Sequence, residues 1–251
     1  MLSIVTPTYN RVHTLKDTLA SVAGQTFKDI EHILVDNMSN DGTEALLREY
    51  QERAPYPVRY LREPDHGMYE AVNKGLKQAT AEWTHILNSD DCYAAPTSLS
   101  TVFDRDLADY DLIANAIEIV NLPGEQKKLL WIPEYRTDIS HFFFPHPGII
   151  LRRSFYEHHG YYDDRFKIVS DAIYGAQHYD KARRLIDRHH VLVRMDYGGI
   201  SQQASLRNLS ETLICTLWYH RLPLRVKLSF ARQHLRDFMR TRLRRLGREC
   251  C

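Results

Sequence analysis

Four short apolar runs occupy the first ninety residues, at 2–5, 31–35, 58–61 and 83–87. Between them lie stretches of helical period. Leu15, Leu19 and Val22 share one side of a helix expected over about 12–25. A second helix is expected over roughly 43–53, where Ser39 or Asp41 supplies a cap, and a third over 68–79 with Val72, Leu76 and Ala79 on one side. A strand that returns through a helix cannot pair as a tight hairpin. The alternation therefore predicts an α/β chain with a mainly parallel sheet flanked by helices. Right-handed crossovers place the carboxyl ends of such strands along one edge, where ligands bind. The polar turns after Val5, Val35, Leu61 and Leu87 fall on that edge and bring Asp36, Asp65, Asp90 and Asp91 together.

The later pattern is less regular. Strands are expected over 112–120 and 128–132, and the proline-broken apolar run 142–152 reads as a loop entering a strand. A helix over 170–185, a short strand over 191–195 and a glycine-bearing loop over 196–203 follow; the chain from 206 onward reads as helical. The expected division is a catalytic domain at 1–205, with halves 1–100 and 101–205, and a helical C-terminal extension at 206–251.

Charge and cysteine use exclude several classes. A formal net charge of +1 gives no overall attraction to nucleic acid. Cys92, Cys215, Cys250 and Cys251 contain no C-x-x-C pair and suit neither a zinc site nor a disulfide framework, so free thiols are expected. The opening MLSIVTPTYN lacks a positive leader and a long apolar run, and no stretch approaches the ~20 apolar residues of a membrane span. A cytoplasmic chain is the expectation. Residues 222–246 interleave Leu224, Val226, Leu228, Phe230, Leu235, Phe238, Met239, Leu243 and Leu246 with Arg and Lys. Two readings stand side by side: a basic amphipathic helix lying on an anionic membrane, or a helix packed on the domain with a solvated basic face.

The chemistry concentrates at Asp90 and Asp91. Adjacent carboxylates repel and raise each other's pKa unless a cation intervenes. A hard divalent ion, Mg2+ or Mn2+, is the natural partner because it also bridges phosphate oxygens. The plain alternative is a turn, with Asp90 capping a helix near Pro96 and Asp91 solvated. Asp36 taken alone reads as a helix cap.

The pair stands within an ordered series of motifs. These are Thr6-Pro7-Thr8-Tyr9-Asn10-Arg11, Ser21-Val22-Ala23-Gly24-Gln25-Thr26, Val35-Asp36 with Ser39-Asn40-Asp41-Gly42-Thr43, Glu63-Pro64-Asp65-His66-Gly67-Met68-Tyr69 with Asn73-Lys74-Gly75, and Leu87-Asn88-Ser89-Asp90-Asp91. Over about the first hundred residues the series resembles inverting family-two glycosyltransferases of the GT-A fold. Phe144-Pro145-His146-Pro147-Gly148, Arg152-Arg153-Ser154 and Gly160-Tyr161-Tyr162-Asp163-Asp164-Arg165-Phe166 resemble the family's acceptor segment.

The resemblance implies a Rossmann-like, mixed sheet and a set of roles. Pro7, Thr8 and Tyr9 would line a base pocket, and Asp36 would accept from the imide nitrogen of a pyrimidine. Asp65 and Lys74 would lie toward the donor diphosphate, Asp90 would contact the ribose or donor sugar, and Asp91 would bind the metal. The family often has an acid where Asn88 stands, so two carboxylates remain here. Asp171, at an expected helix start, matches the family's catalytic base; alone it reads equally as an N-terminal cap worth roughly 1 kcal/mol. Asp163 and Asp164 are weaker acids ahead of it. His146, Ser201 in the loop Gly198-Gly199-Ile200-Ser201, and Arg207 are candidate acceptor or diphosphate contacts.

The expected activity is a single displacement from a nucleotide-diphosphate sugar, UDP being the family's commonest nucleotide. It would use Mn2+ or Mg2+ and act on a glycan or lipid-linked acceptor, as in bacterial surface polysaccharide biosynthesis. One competitor is a nucleotide-sugar pyrophosphorylase or nucleotidyltransferase. That class would carry a glycine-rich, basic signature after the first strand, where Thr-Pro-Thr-Tyr-Asn stands. The other is a non-catalytic nucleotide-sugar-binding module, against which Asp91 and Asp171 together argue. Nucleic-acid binding by the basic tail is disfavoured because few aromatics interleave there.

Overall fold

A computed structural model describes residues 1–122, 128–136, 141–199, 205–219 and 223–249. Strand β1 (Leu2–Thr8) is buried along its whole length, as its apolar run requires of a strand covered on both faces. Helix α1 (Val12–Ala23) returns the chain to β2 (Ile30–Asp36), α2 (Thr43–Arg53) to β3 (Val58–Arg62), and α3 (Met68–Gln78) to β4 (Trp83–Ile86). All these strands run parallel in the order β3-β2-β1-β4. The order reverses between the two neighbours of β1. That switch opens a crevice at the carboxyl ends of β1 and β4.

The chain continues through β5 (Cys92–Tyr93), α4 (Ser98–Phe103), β6 (Leu112–Val120), β7 (Lys128–Trp131), β8 (Glu134–Arg136) and β9 (His141–Phe143). A 3-10 turn at His146–Gly148 leads into β10 (Ile149–Arg152), α5 (Arg153–His159), α6 (Ser170–His178) and β11 (Arg184–Asp196). The sheet extends from β4 through β10, β6 and β11 to β5. β10 is antiparallel to both neighbours, β11 is parallel to β6 and antiparallel to β5, and β7 pairs with β6. The sheet is thus mixed but mainly parallel in its first half, with helices on both faces. Successive residues of β1 serve opposite faces: Val5 packs with Val72 and Leu76 of α3, while Leu2 and Ile4 pack with Val22 of α1 and Leu99 and Val102 of α4.

Two expectations need correction. The helix expected over 170–185 ends at His178, with a 3-10 turn at Tyr179–Lys181. The strand expected over 191–195 begins seven residues earlier, at Arg184. Charge and irregular register hide this strand. Arg183 makes a two-pronged pair with Asp111 at 2.9 and 3.0 Å that anchors its entry. Register shifts between Asp187, Val191 and Val193 interrupt its alternation, and Asp187 Oδ1 takes the N–H groups of His189 and His190 at the irregularity.

After β11, helix α7 (Leu206–Ile214) runs into a π-helical turn at Cys215–Tyr219, and α8 (Leu224–Glu249) follows. Cys215 is buried with Val169 and Ile173, which seats this segment on α6. Among the described residues no helix is long and apolar enough to cross a membrane.

The Asn73-Lys74-Gly75 motif has a packing reason at its glycine. A Cβ on Gly75 would stand 2.4 Å from Val5 Cγ1 and 3.3 Å from Val35 Cγ2, so α3 reaches its depth on the sheet only without a side chain there. Gly75→Ala should cost about 1–3 kcal/mol by overpacking. Urea unfolding reads this directly, and an unchanged midpoint would contradict the close approach.

Candidate active site

The turns at the strand ends are tied to one another. Asn10 N donates to Ser39 Oγ at 2.8 Å and Asn40 N donates to Asn10 Oδ1 at 2.9 Å, joining the turns after β1 and β2. Asp41 accepts from Val12 N at the start of α1 and from Thr43 N at the start of α2, both at 3.1 Å. Asn37 Oδ1 accepts from Asp65 N at 2.9 Å, which adds the turn after β3. Asp65 Oδ1 in turn accepts from Gly67 N at 2.9 Å, ahead of α3.

These turns wall a cavity of about 350 Å³. Pro7, Thr8, Tyr9 and Arg11 come from the end of β1, and Asn88, Ser89, Asp90 and Asp91 from the end of β4. Asp65, His146, Lys167 and Asp171 also line it, with Tyr69 of α3 and Asp196 at the end of β11. Eight of the residues singled out from sequence thus share one cavity: Pro7, Thr8, Tyr9, Asp65, Asp90, Asp91, His146 and Asp171.

Three others do not line it. Asp36 is fully buried; Ser39 N and Oγ donate to its Oδ1, and the Tyr60 hydroxyl donates to Oδ2 at 3.0 Å. Lys74 Nζ donates to Pro64 O at 2.6 Å and pairs with Glu70 at 3.3 Å. Arg207 is exposed on α7. Ser201 lies outside the described residues.

Asp91 is 1% exposed. Its Oδ2 accepts from Asn88 Nδ2 at 3.0 Å and its Oδ1 from Asp196 N at 3.3 Å. Burial, reinforced by the charge of Asp90, pushes its carboxyl up to about 8. Asp90 is also raised, first by burial and then by Asp196, against the opposing pull of Arg11. Among the described residues Asn88 Oδ1, beside them, is buried without a hydrogen-bond partner. Excess negative charge and an orphaned oxygen acceptor fit a hard divalent cation. Among the described residues no three His, Cys, Asp or Glu side chains are grouped to hold a metal. Such an ion would therefore take its remaining ligands from substrate phosphates or water, as Mg2+ commonly does.

Asp171 stands in the first turn of α6, whose N-cap position is Val169. Its Oδ1 accepts the Tyr69 hydroxyl at 2.7 Å. Burial and the Asp171 charge push that phenol well above its ordinary value, so it stays a donor. His146 Nε2 lies 3.3 Å from the Tyr162 hydroxyl, and burial lowers its pKa although Asp171 opposes this.

Arg11 and Lys167 are the cavity's Arg and Lys side chains, and the sequence reading assigned neither a role. Arg11 directly follows the Thr-Pro-Thr-Tyr-Asn turn, a placement that would have marked it. Lys167 carries no such signal, because only folding brings its loop over Gly67.

Residues 3–166 match the sequence model of Glycosyl transferase family 2. The PGL/p-HBAD biosynthesis glycosyltransferase of Mycobacterium bovis (strain BCG / Pasteur 1173P2) is 26% identical over 236 residues, covering 91% of this chain and 86% of that protein. Among solved structures, residues 1–349 of S. aureus TarS in complex with UDP-GlcNAc superpose with a TM-score of 0.70 at 20% identity. That match covers 93% of this chain and 71% of that one. Against the longer S. aureus TarS chain the match spans 42% of its length. The mannosyltransferase PcManGT from Pyrobaculum calidifontis, in complex with GDP-Man and Mn2+, gives a TM-score of 0.63 at 17% identity, covering 86% of this chain and 62% of that one. At these identities the structures support the fold.

The raised carboxyl has a measurable consequence for stability. Without metal, the folded Asp91 titrates near 8, above its ordinary 3.8, so between these values the folded state holds a proton that the unfolded chain releases. Its contribution to stability is present at low pH and is lost as pH rises toward 8. In chelator, scanning calorimetry from pH 5 to 8 should show the parent losing melting temperature relative to Asp91→Asn. A constant difference between the two would contradict the buried charge.

Proposed function

The chain belongs to Glycosyl transferase family 2, and from that premise we propose that it is an inverting, metal-dependent enzyme that moves a sugar from a nucleotide-diphosphate donor to a glycan or lipid-linked acceptor. It is a glycosyltransferase of glycan biosynthesis with a nucleotide-sugar donor. The competing readings as a nucleotidyltransferase or a non-catalytic module give way to this membership. One observation supports the finer reading most: a single cavity carries the Asp90–Asp91 pair and the separate carboxylate of Asp171.

In this reading the donor base lies against Pro7, Thr8 and Tyr9, with UDP the favoured nucleotide. Asp36 reaches an imide nitrogen from behind that wall by exchanging a Ser39 or Tyr60 hydrogen bond for it. Arg11 and Lys167 take the diphosphate charge that the sequence reading gave to Lys74 and Arg207, and Asp65 orders the loop beside it. Asp90 contacts the ribose or donor sugar. Asp91 would hold Mn2+ or Mg2+, which, when bound, supplies neutralisation of the charge on the departing nucleoside diphosphate.

Asp171 acts on the acceptor. With Oδ1 held by Tyr69, its carboxylate takes the proton of the acceptor hydroxyl as that oxygen bonds to the anomeric carbon. The bond from that carbon to the phosphate oxygen breaks, and the nucleoside diphosphate leaves with the electron pair. One displacement inverts the anomeric centre and needs no enzyme nucleophile. Half-buried His146, held neutral at pH 7 by its lowered pKa, lines the acceptor side.

The acceptor bears on the C-terminal helices. Leu224, Leu228, Leu235 and Met239 are exposed and fall within one face of α8, flanked by exposed Arg225, Arg232 and Arg236. Trp218, 73% exposed, precedes them. We read this surface as docking on an anionic membrane, which would place the enzyme peripherally on the cytoplasmic face beside lipid-linked acceptors.

Three measurements check these proposals. Across a panel of nucleotide sugars with Mn2+, the enzyme should release nucleoside diphosphate and lose that activity in chelator. Asp171→Asn should lower transfer about 10²–10⁴-fold while calorimetric donor binding stays near the parent's. Activity that ignores chelator would remove the metal role of Asp91, and full turnover by Asp171→Asn would remove the base. Separately, the protein should co-sediment with phosphatidylglycerol vesicles at low salt, and the Leu228→Asp, Leu235→Asp double variant should not. Equal sedimentation of both proteins would contradict the α8 surface.

A further inference from the structure

Helix α7 carries one buried carboxylate that the proposed chemistry does not use. Glu211 is 8% exposed. Its oxygens accept the backbone N–H of Lys167 at 3.1 and 3.0 Å, and Oε2 also accepts the N–H of Ile168 at 2.8 Å. Among the described residues Glu211 makes no ion pair, so these two successive amides are its compensation for burial. Its surroundings are apolar: Cys215 packs with Val169 and Ile173, and Phe166 meets Tyr219 edge-to-face at 5.9 Å.

The two amides stand just ahead of α6, and the contacts continue from there to the proposed base. The Tyr69 hydroxyl lies 3.1 Å from the carbonyl oxygen of Ile168 and 2.7 Å from Asp171 Oδ1. The same backbone segment holds Lys167 across Gly67, where a Cβ would stand 2.9 Å from Lys167 Cδ. Glu211 thus fixes the strip of chain that joins the Asp65 turn to Asp171. An apolar residue at 211 would fill the space but leave both amides without their acceptor.

We infer that Glu211 is a positioning residue for the transfer step: it holds the backbone at 167–168 and, through Tyr69, sets where the Asp171 carboxylate lies. The inference rests on the reading of Asp171 as the base. It makes α7 part of the frame of the active site.

The test uses the full chain and the nucleotide sugar that the parent consumes. Glu211→Gln keeps the size and one acceptor oxygen but removes the charge and sets an NH2 donor against the Lys167 N–H. It should lower kcat about 10- to 100-fold with the donor KM changed less than about 2-fold, the split expected when reacting groups are misplaced rather than the donor lost. Tyr69→Phe breaks the same connection without touching α7 and should show the same split. The double variant should lose less than the product of the two single losses, because both act through Asp171. Hydrogen exchange should quicken over 163–171 in Glu211→Gln and stay unchanged in β1, β2 and β4. Unchanged exchange at 167–168, unchanged kcat, a raised donor KM with kcat intact, or fully multiplicative losses would each overturn the inference. If Glu211→Gln does not fold, Glu211→Asp, which keeps the charge but shortens its reach to the 167–168 amides, decides by the same kcat-against-KM split and the same exchange at 167–168. A parent that turns over no donor removes the premise itself, whereas an active parent with an unaffected variant overturns this inference only.

Discussion

Holding Asp91 almost wholly out of water beside the charge of Asp90 is the demand around which the rest of the site is arranged. A buried carboxylate normally escapes by protonation or by moving to solvent. Here movement is prevented. Asn88 grips one oxygen, the Asp196 amide the other, and the preceding strand β4 is locked between β1 and β10. The adjoining turns are braced by Asn10, Ser39, Asn40 and Asp41, so the wall opposite the acidic pair is built as tightly as the pair itself. In the proposed reading a cation takes the place of the proton that buried Asp91 holds near neutral pH, so the charge develops only where the ion binds.

The two halves of the chain contribute differently. The first supplies a parallel sheet with an order reversal, which is a geometric reason for a crevice at β1 and β4. The second closes it. β11 ends at Asp196, whose amide touches Asp91 and whose carboxylate adds to the local charge. α6 brings Asp171 to the same cavity, and Tyr69 of α3 fixes one of its oxygens. In the proposed mechanism, proton removal and leaving-group stabilisation fall to carboxylates from separate elements whose environments differ, as two-role acidic sites require.

Much of this was legible in the sequence where local period and fold agreed. Strands β1, β2 and β4 stand out because both faces are buried and their runs are apolar, and α1, α2 and α3 fall where their spacing places them. β11 was mostly hidden because Arg, Asp and His occupy its irregular first part and its partners lie far away in sequence. The sequence could rank acids and bases but not their local partners. Asp36 proved to be saturated by Ser39 and Tyr60, and Lys74 to be held by Pro64 and Glu70. Conversely, Lys167 enters the cavity through backbone geometry that no spacing rule exposes, whereas the place of Arg11 directly after the Thr-Pro-Thr-Tyr-Asn turn marks it. Glu211 looks like an ordinary surface helix residue until α7 is seen seated on α6.

In the proposed reading the crevice at β1 and β4 binds a metal–nucleoside diphosphate through Asp91, with Asp171 across the same cavity. A crystal structure of the protein grown with Mn2+ and UDP tests it most directly. Mn2+ should be bonded to the Asp91 carboxylate and to diphosphate oxygens, with the diphosphate facing Arg11 and the uracil against Pro7, Thr8 and Tyr9. A nucleotide bound elsewhere, or a metal ion whose ligands do not include Asp91, would contradict it.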